Sequence, residues 1–228
     1  MFTAVHRPVV LGQDIGGRAS GDAPVDLALV LATDCSSSVD AADFRLQMDG
    51  IGHALRNPLL ADAIASGLHG RIGLSVVLWS SRTRQTVAMP WRALASAADL
   101  DQAARDVEAT ARSWEPGGTG LAAAIDFSAG HLDALPFPAE RRIIDVSGDG
   151  QDNDGGDAAA ARDRAVARGI TINGLPITYS SRRLLSYYKD DVTGGPGSFV
   201  IAADTIMAFR RAMTEKLLRE VSQMTKTA

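Results

Sequence analysis

The sequence predicts a single doubly wound α/β domain: a mostly parallel sheet flanked by helices, with one short antiparallel edge strand. Three observations predict it. Short apolar runs alternate with amphipathic stretches along most of the chain. Most of those runs are continuously apolar, as strands covered on both faces require. A chain of 228 residues suffices for one sizeable core and falls short of two.

Residues 1–24 carry Gly, Asp and Arg without periodicity and read as a flexible N-terminal arm. The domain proper is expected over 25–224, with a short tail at 225–228. The first strand is Val25–Thr33. Ala41–Arg56 follows as a helix, because Phe44, Met48, Ile51 and Leu55 fall on one stripe, and Pro58 is expected to stop it. Ile72–Trp79 is the second strand. Thr83–Met89 alternates more than the others and suits a short antiparallel edge. Leu121–Leu135 repeats the helical spacing through Leu121, Ile125, Ser128 and Leu132. Ile143–Ser147 and Ile170–Leu175 are further strands, with a helix expected at Ala158–Arg168 between them. Phe199–Ala202 is the last strand. Thr205–Gln223 closes the chain as a helix with Ile206, Phe209, Met213, Leu217 and Val221 on one face. Strand–helix alternation implies right-handed crossovers.

Composition excludes several classes. A formal net charge of −4, with no basic run, argues against a nucleic-acid binder. No apolar stretch approaches the roughly 18–20 residues that span a bilayer, so membrane insertion is not expected. The N-terminal residues hold charges where an export signal has its apolar core, which predicts a cytoplasmic protein as the sequence stands. A trimmed or misassigned start would make it periplasmic or secreted. The single cysteine, Cys35, rules out an internal disulfide and any multi-cysteine metal site.

In open α/β sheets, function gathers at the carboxyl ends of the strands, near the point where strand order reverses. The first strand here ends in Asp34-Cys35-Ser36-Ser37-Ser38, a D-x-S-x-S pattern. A glycine-rich loop, EPGGTG, presents Thr119 before a helix, and IIDV runs into SGDG, presenting Asp149. Hydroxyls and carboxylates are hard oxygen donors that suit Mg²⁺, Mn²⁺ or Ca²⁺ better than zinc. Ser36 and Ser38 share a face because alternate residues of an extended segment do. Magnesium demands about six oxygens, so this set leaves a position for an incoming acidic group.

Plainer readings compete. Asp34, Ser36 and Ser38 precede a helix and suit capping, a role also open to Asp40. Gly117–Gly120 could cradle a phosphate, although no G-x-x-x-x-G-K-[ST] is present. Asp152, Asp154 and Asp157 are dense enough for a second ion, but they miss the EF-hand spacing. A solvated turn capping the next helix serves equally. Asp145, inside a presumed central strand, calls for a buried hydrogen-bond network. His6, His53, His69 and His131 fit no metal or triad spacing. Trp79, Trp91 and Trp114 read as core or near-core residues, Trp114 with a second option of buttressing the EPGGTG loop.

The strand-end pattern resembles the metal-ion-dependent adhesion site of von Willebrand factor type A (vWA) domains, a Rossmann-like fold. PWRALASAADL, GGTGLAAAIDF, RRIIDVSGDG, GITINGLPI and GGPGSFVIAADTIMAF resemble a bacterial group of stand-alone vWA-like domains of unknown function. The resemblance implies a metal held by Asp34, Ser36, Ser38, Thr119 and Asp149. It implies Mg²⁺ (alternatively Mn²⁺ or Ca²⁺) and no catalytic step. The partner it implies is an unidentified protein or peptide whose Asp or Glu completes the coordination. It also implies coupling between the site and a sliding C-terminal helix, here Thr205–Gln223. Two departures stand out: SGDG replaces the TDG of many vWA domains, and the export signal common in the group is not visible. The alternative function is a Mg²⁺-dependent phosphatase of the haloacid-dehalogenase type with Asp34 as nucleophile, although Ser36 stands where that chemistry wants a second aspartate.

Overall fold

The computed structural model describes residues 23–112, 117–179, 181 and 183–222. Expectations for the N-terminal arm up to residue 22, for His6 and Trp114, and for the tail lie outside these residues.

Five strands form one sheet in the order β3-β2-β1-β4-β5. They are β1 (Leu27–Asp34), β2 (Ile72–Trp79), β3 (Gln85–Leu94), β4 (Arg142–Gly148) and β5 (Ile170–Pro176). All neighbours are parallel except the β2–β3 pair at the edge. The edge strand is longer than the alternation of Thr83–Met89 suggests, running ten residues with register shifts against β2.

β1 shows why the sheet is covered on both faces. Leu27, Leu29 and Leu31 join a core with helices α1 (Ala41–Leu55), α2 (Pro58–Ala65), α3 (Ala97–Glu108) and α7 (Phe209–Ser222). Ala28, Val30 and Ala32 face the opposite core, built on α4 (Leu121–Asp133), α5 (Ala158–Ala167) and the short α6 (Arg183–Tyr187). Period-two alternation therefore feeds two apolar layers from one continuously apolar strand.

The structure adds helices and removes one expected strand. Pro58 does not merely stop α1; it opens α2 at the first helical position, where its missing N–H costs nothing, behind an Asn57 cap. α3 was not expected, although Ser96 and Asp99 form a capping box ahead of buried Leu100, Ala103, Ala104 and Val107. Phe199–Ala202 is not a strand. It runs beside β5 through isolated pairings, Gly174 with Val200 and Ile177 with Ala203. Pro176 has no N–H to donate across at this level, so the ladder breaks there. The C-terminal stretch begins with a 3₁₀ turn, Ile206–Ala208, before α7 proper. Among the described residues no helix is long and apolar enough to cross a membrane.

Candidate metal centre

Chain order reverses between β1 and β4: after β1 the chain adds β2 and β3 on one side, then returns to place β4 and β5 on the other. Asp34 is the last residue of β1, and Asp149 follows the last residue of β4. Their strands are adjacent, so both carboxylates arrive at the switch point.

The loop after β1 folds back on its own aspartate. The Ser36 amide donates to Asp34 Oδ1 at 2.7 Å, and Ser36 Oγ lies 3.3 Å from Ser38 Oγ. Ser38 Oγ donates to Asp149 Oδ1 at 2.5 Å, joining the first and fourth strands through side chains. The Ser37 amide donates to Gly117 O at 3.0 Å, which brings in the glycine-rich loop. Thr119 is held there by Asn153: its amide donates to Asn153 Oδ1 at 2.8 Å, and Asn153 Nδ2 donates to Thr119 Oγ1 at 3.4 Å. A methyl group at Gly150 would come within 3.3 Å of Thr119 Oγ1, which sets that hydroxyl against the residue after Asp149. All five residues singled out in the sequence thus gather at one sheet edge.

Capping does not account for them. Asp40 caps α1, its Oδ1 accepting from the amides of Ala42 and Asp43 at 2.7 and 2.8 Å. Asp34 Oδ2, by contrast, is buried without a hydrogen-bond partner. Burial pushes this carboxyl up to about 7, against the downward pull of the Ser36 amide and hydroxyl and with a further push from the Asp149 charge. An orphan carboxylate oxygen among hydroxyls and a second carboxylate fits a hard divalent cation. Among the described residues no three His, Cys, Asp or Glu side chains gather as a cage.

Several neighbours of the site carry no sequence motif. Gln47 Nε2 donates to Asp34 O at 3.2 Å, and Arg112 donates to the carbonyls of Cys35 and Ser36 at 3.0 and 2.8 Å. Tyr179 donates its phenol proton to Asp149 Oδ2 at 2.8 Å. Gly148 leaves room for Asp34: a Cβ there would sit 2.8 Å from Asp34 Oδ2. Only Gly148 gave a signal, as the departure from TDG.

The remaining candidates resolve into structure. Asp152 accepts amides from Ala122, Asp154 and Gly156, Asp154 accepts the Arg82 amide, and Asp157 caps α5. The acidic loop therefore stitches backbone. Gly120 lies so close to Ser81 and Arg82 that the glycine-rich turn is filled by protein backbone. His69 pairs with Glu140, and His131 meets Ser75 and stacks on Trp91. Trp79 is fully buried. Cys35 donates to Trp79 O at 3.2 Å, and burial first, then the Asp34 charge, pushes its thiol up to about 12, so it is no nucleophile. A phosphatase would want a lysine at Asp34, whereas Lys216 is spent on Asp145 and Glu220 beneath α7.

Residues 24–225 match a family described as a protein of unknown function, DUF1194. The chain belongs to that family. No curated protein matches its sequence. Solved structures similar to it share the vWA fold. One is BatB from Bacteroides thetaiotaomicron, at 18% identity and a TM-score of 0.61, covering 88% of this chain and 100% of that one. Another is a von Willebrand factor type A protein from Catenulispora acidiphila, at 16% identity and a TM-score of 0.58, covering 88% and 43%. A third is proximal thread matrix protein 1 from the mussel byssus, at 13% identity and a TM-score of 0.63, covering 87% and 48%. One structure of the mussel protein has a zinc-occupied MIDAS motif. This chain spans about half the length of the mussel protein. The DUF1194 chain described here therefore has the vWA fold, with its five oxygen-bearing side chains at the sheet edge.

Proposed function

We propose that this protein is a divalent-metal-dependent protein-binding module. Asp34, Ser36, Ser38, Thr119 and Asp149 hold the ion, the carboxylates directly or through an intervening oxygen, and the ion is Mg²⁺, with Mn²⁺ and Ca²⁺ as alternatives. An acidic side chain of a partner completes the coordination. The observation that carries this reading is Asp34 Oδ2, a buried carboxylate oxygen with no hydrogen-bond partner beside Ser36. A cation at that point relieves the cost of burying it. The zinc-occupied MIDAS of the mussel matrix protein supports the choice of a divalent ion. When bound, the ion supplies a Lewis-acidic centre for an outside oxygen, and the chain contributes the cradle that orients it.

The test is thermal unfolding with Mg²⁺ or Mn²⁺ against EDTA. Wild type is stabilised by about 2.7 kcal/mol at a hundred times the dissociation constant. Asp34→Ala and Thr119→Ala abolish the shift, and none of the three proteins turns over a phosphate ester. A pull-down with and without EDTA, with Asp34→Ala as the matched control, then isolates partners whose binding depends on the ion. A metal-independent melting curve overturns the proposal.

A further inference from the structure

Tyr179 occupies an unusual place on the rim of this centre. The residue is 49% exposed, yet its hydroxyl is committed to Asp149 Oδ2 at 2.8 Å. The backbone delivers it there. The Ile177 amide donates to Gly148 O at 2.9 Å, carrying the β4–β5 pairing past the end of β5. The Thr178 amide donates to Ala203 O at 2.8 Å, fixing the next residue. Tyr179 therefore emerges over the residue that follows Gly148, which is Asp149.

The two carboxylates of the site are not equivalent. Asp34 accepts the Ser36 amide at Oδ1 and nothing at Oδ2. Asp149 accepts a hydroxyl at each oxygen, from Ser38 at 2.5 Å and from Tyr179 at 2.8 Å. A hydroxyl that donates its proton keeps its lone pairs, so Ser38 can coordinate a cation while still bonded to Asp149. In that arrangement Asp149 acts on the ion through Ser38, as outer carboxylates do in many metal sites.

We propose that Tyr179 is a positioning residue that restrains Asp149 from direct contact with the cation, and so keeps one coordination position open to an outside oxygen ligand. This rests on the metal-centre reading above. Without the phenol proton, the Asp149 carboxylate turns on its own side-chain bonds toward the ion. A carboxylate in direct contact would add negative charge at the ion and displace a water.

The experiment is a Mn²⁺ titration of wild type and Tyr179→Phe, read by calorimetry and by water-proton relaxation. The variant keeps the exposed ring and loses only the hydroxyl. It is expected to bind Mn²⁺ more tightly, because a carboxylate in direct contact attracts the ion more strongly than one acting through a hydroxyl. Its relaxation enhancement per bound ion is expected to fall, because an exchangeable water has left. In an Asp149→Asn background the same change should alter neither quantity. Equal affinity and equal relaxation in wild type and Tyr179→Phe, or weaker binding by the variant, overturns the role of Tyr179 while leaving the metal centre standing. Absence of Mn²⁺ uptake by wild type overturns the centre itself and this inference with it.

Discussion

Lys216 on α7 places its Nζ 2.8 Å from Asp145 Oδ1 on β4, and both side chains are shut off from solvent. The pair sits in a larger buried group. Lys216 also reaches Glu220 Oε1 at 2.8 Å, one helical turn on, and Asn173 Nδ2 donates to the same oxygen at 2.8 Å. Asn173 lies beside Asp145 in the β4–β5 register, and its Oδ1 accepts the Phe199 amide at 3.1 Å. A slide of α7 by one turn, about 5.4 Å, would separate Lys216 from Asp145 and Glu220 from Asn173, the two contacts that tie the helix to the sheet. The sliding helix implied by resemblance is thus opposed by a charged lock in this chain.

Lys216→Met leaves two carboxylates buried without their cation. It should destabilise the protein by about 3–5 kcal/mol in urea unfolding. Replacing all three together, Asp145→Leu with Lys216→Met and Glu220→Leu, should recover most of that loss, because the desolvation cost disappears with the charges. A cost of the same size in the triple variant would show that packing, not charge, holds α7. Hydrogen exchange of α7 amides should be the same with and without Mn²⁺ in wild type and faster in Lys216→Met.

The metal-free site should carry a pH signature. Asp34 lies at about 7 in the folded state against an ordinary value of 3.8, so the folded protein holds a proton that the unfolded chain has released across that interval. Its stabilising contribution is fully present below the unfolded value and is lost as the pH rises through about 7. In EDTA, wild type should lose stability between those limits relative to Asp34→Asn, which has no such proton. A cation requires the ionised form, so Mn²⁺ affinity should climb to about pH 7 and then level off, with proton release on binding. Calorimetry in buffers of different ionisation enthalpy reads that release. A flat affinity profile would mean that Asp34 is already ionised in the free site.

The parallel sheet was legible because its parallel strands are apolar on both faces, and the meeting of Asp34, Ser36, Ser38, Thr119 and Asp149 was legible because each lies at a strand end or in a loop that leads into a helix. What stayed hidden depends on distant partners. Lys216 and Glu220 sit on the apolar stripe of α7, where charge reads as a misfit until Asp145 and Asn173 arrive from other strands. Arg112, Gln47 and Tyr179 act by donating to carbonyls and carboxylates that no local spacing announces. The failed strand at Phe199–Ala202 shows the reverse: its own residues suit a strand, but the missing donor belongs to Pro176 across the pair.

Asp152 should behave as a remote helix cap. Gly120 offers α4 no side chain, and the Ala122 amide is satisfied by Asp152 Oδ2 at 2.8 Å from across the loop. The other oxygen takes the amides of Asp154 and Gly156 at 3.1 and 3.0 Å. Asp152→Ala should therefore cost about 1–2 kcal/mol, as loss of a cap does. The cost should be the same in calcium and in EDTA. A loss seen only with calcium present would restore the second ion to the acidic loop.

Gly148 is the position where one methyl group should separate folding from metal uptake. A Cβ there would lie 2.8 Å from Asp34 Oδ2, closer than side chains tolerate, and a tight 3.1 Å from Trp79. Trp79 is fully buried and cannot withdraw, so the Asp34 carboxylate must turn away from the orphan position it now holds. Gly148→Ala should cost about 1–3 kcal/mol in stability, the usual cost of overpacking. It should also abolish the Mn²⁺-dependent shift in melting temperature. Gly150→Ala provides the comparison, because its methyl meets Thr119 Oγ1 at 3.3 Å, a contact that a small rotation relieves. That variant should retain the shift with weakened affinity. Should Gly148→Ala take up Mn²⁺ as wild type does, the orientation of Asp34 is not what the ion reads, and its place at the centre of the site would have to be given up.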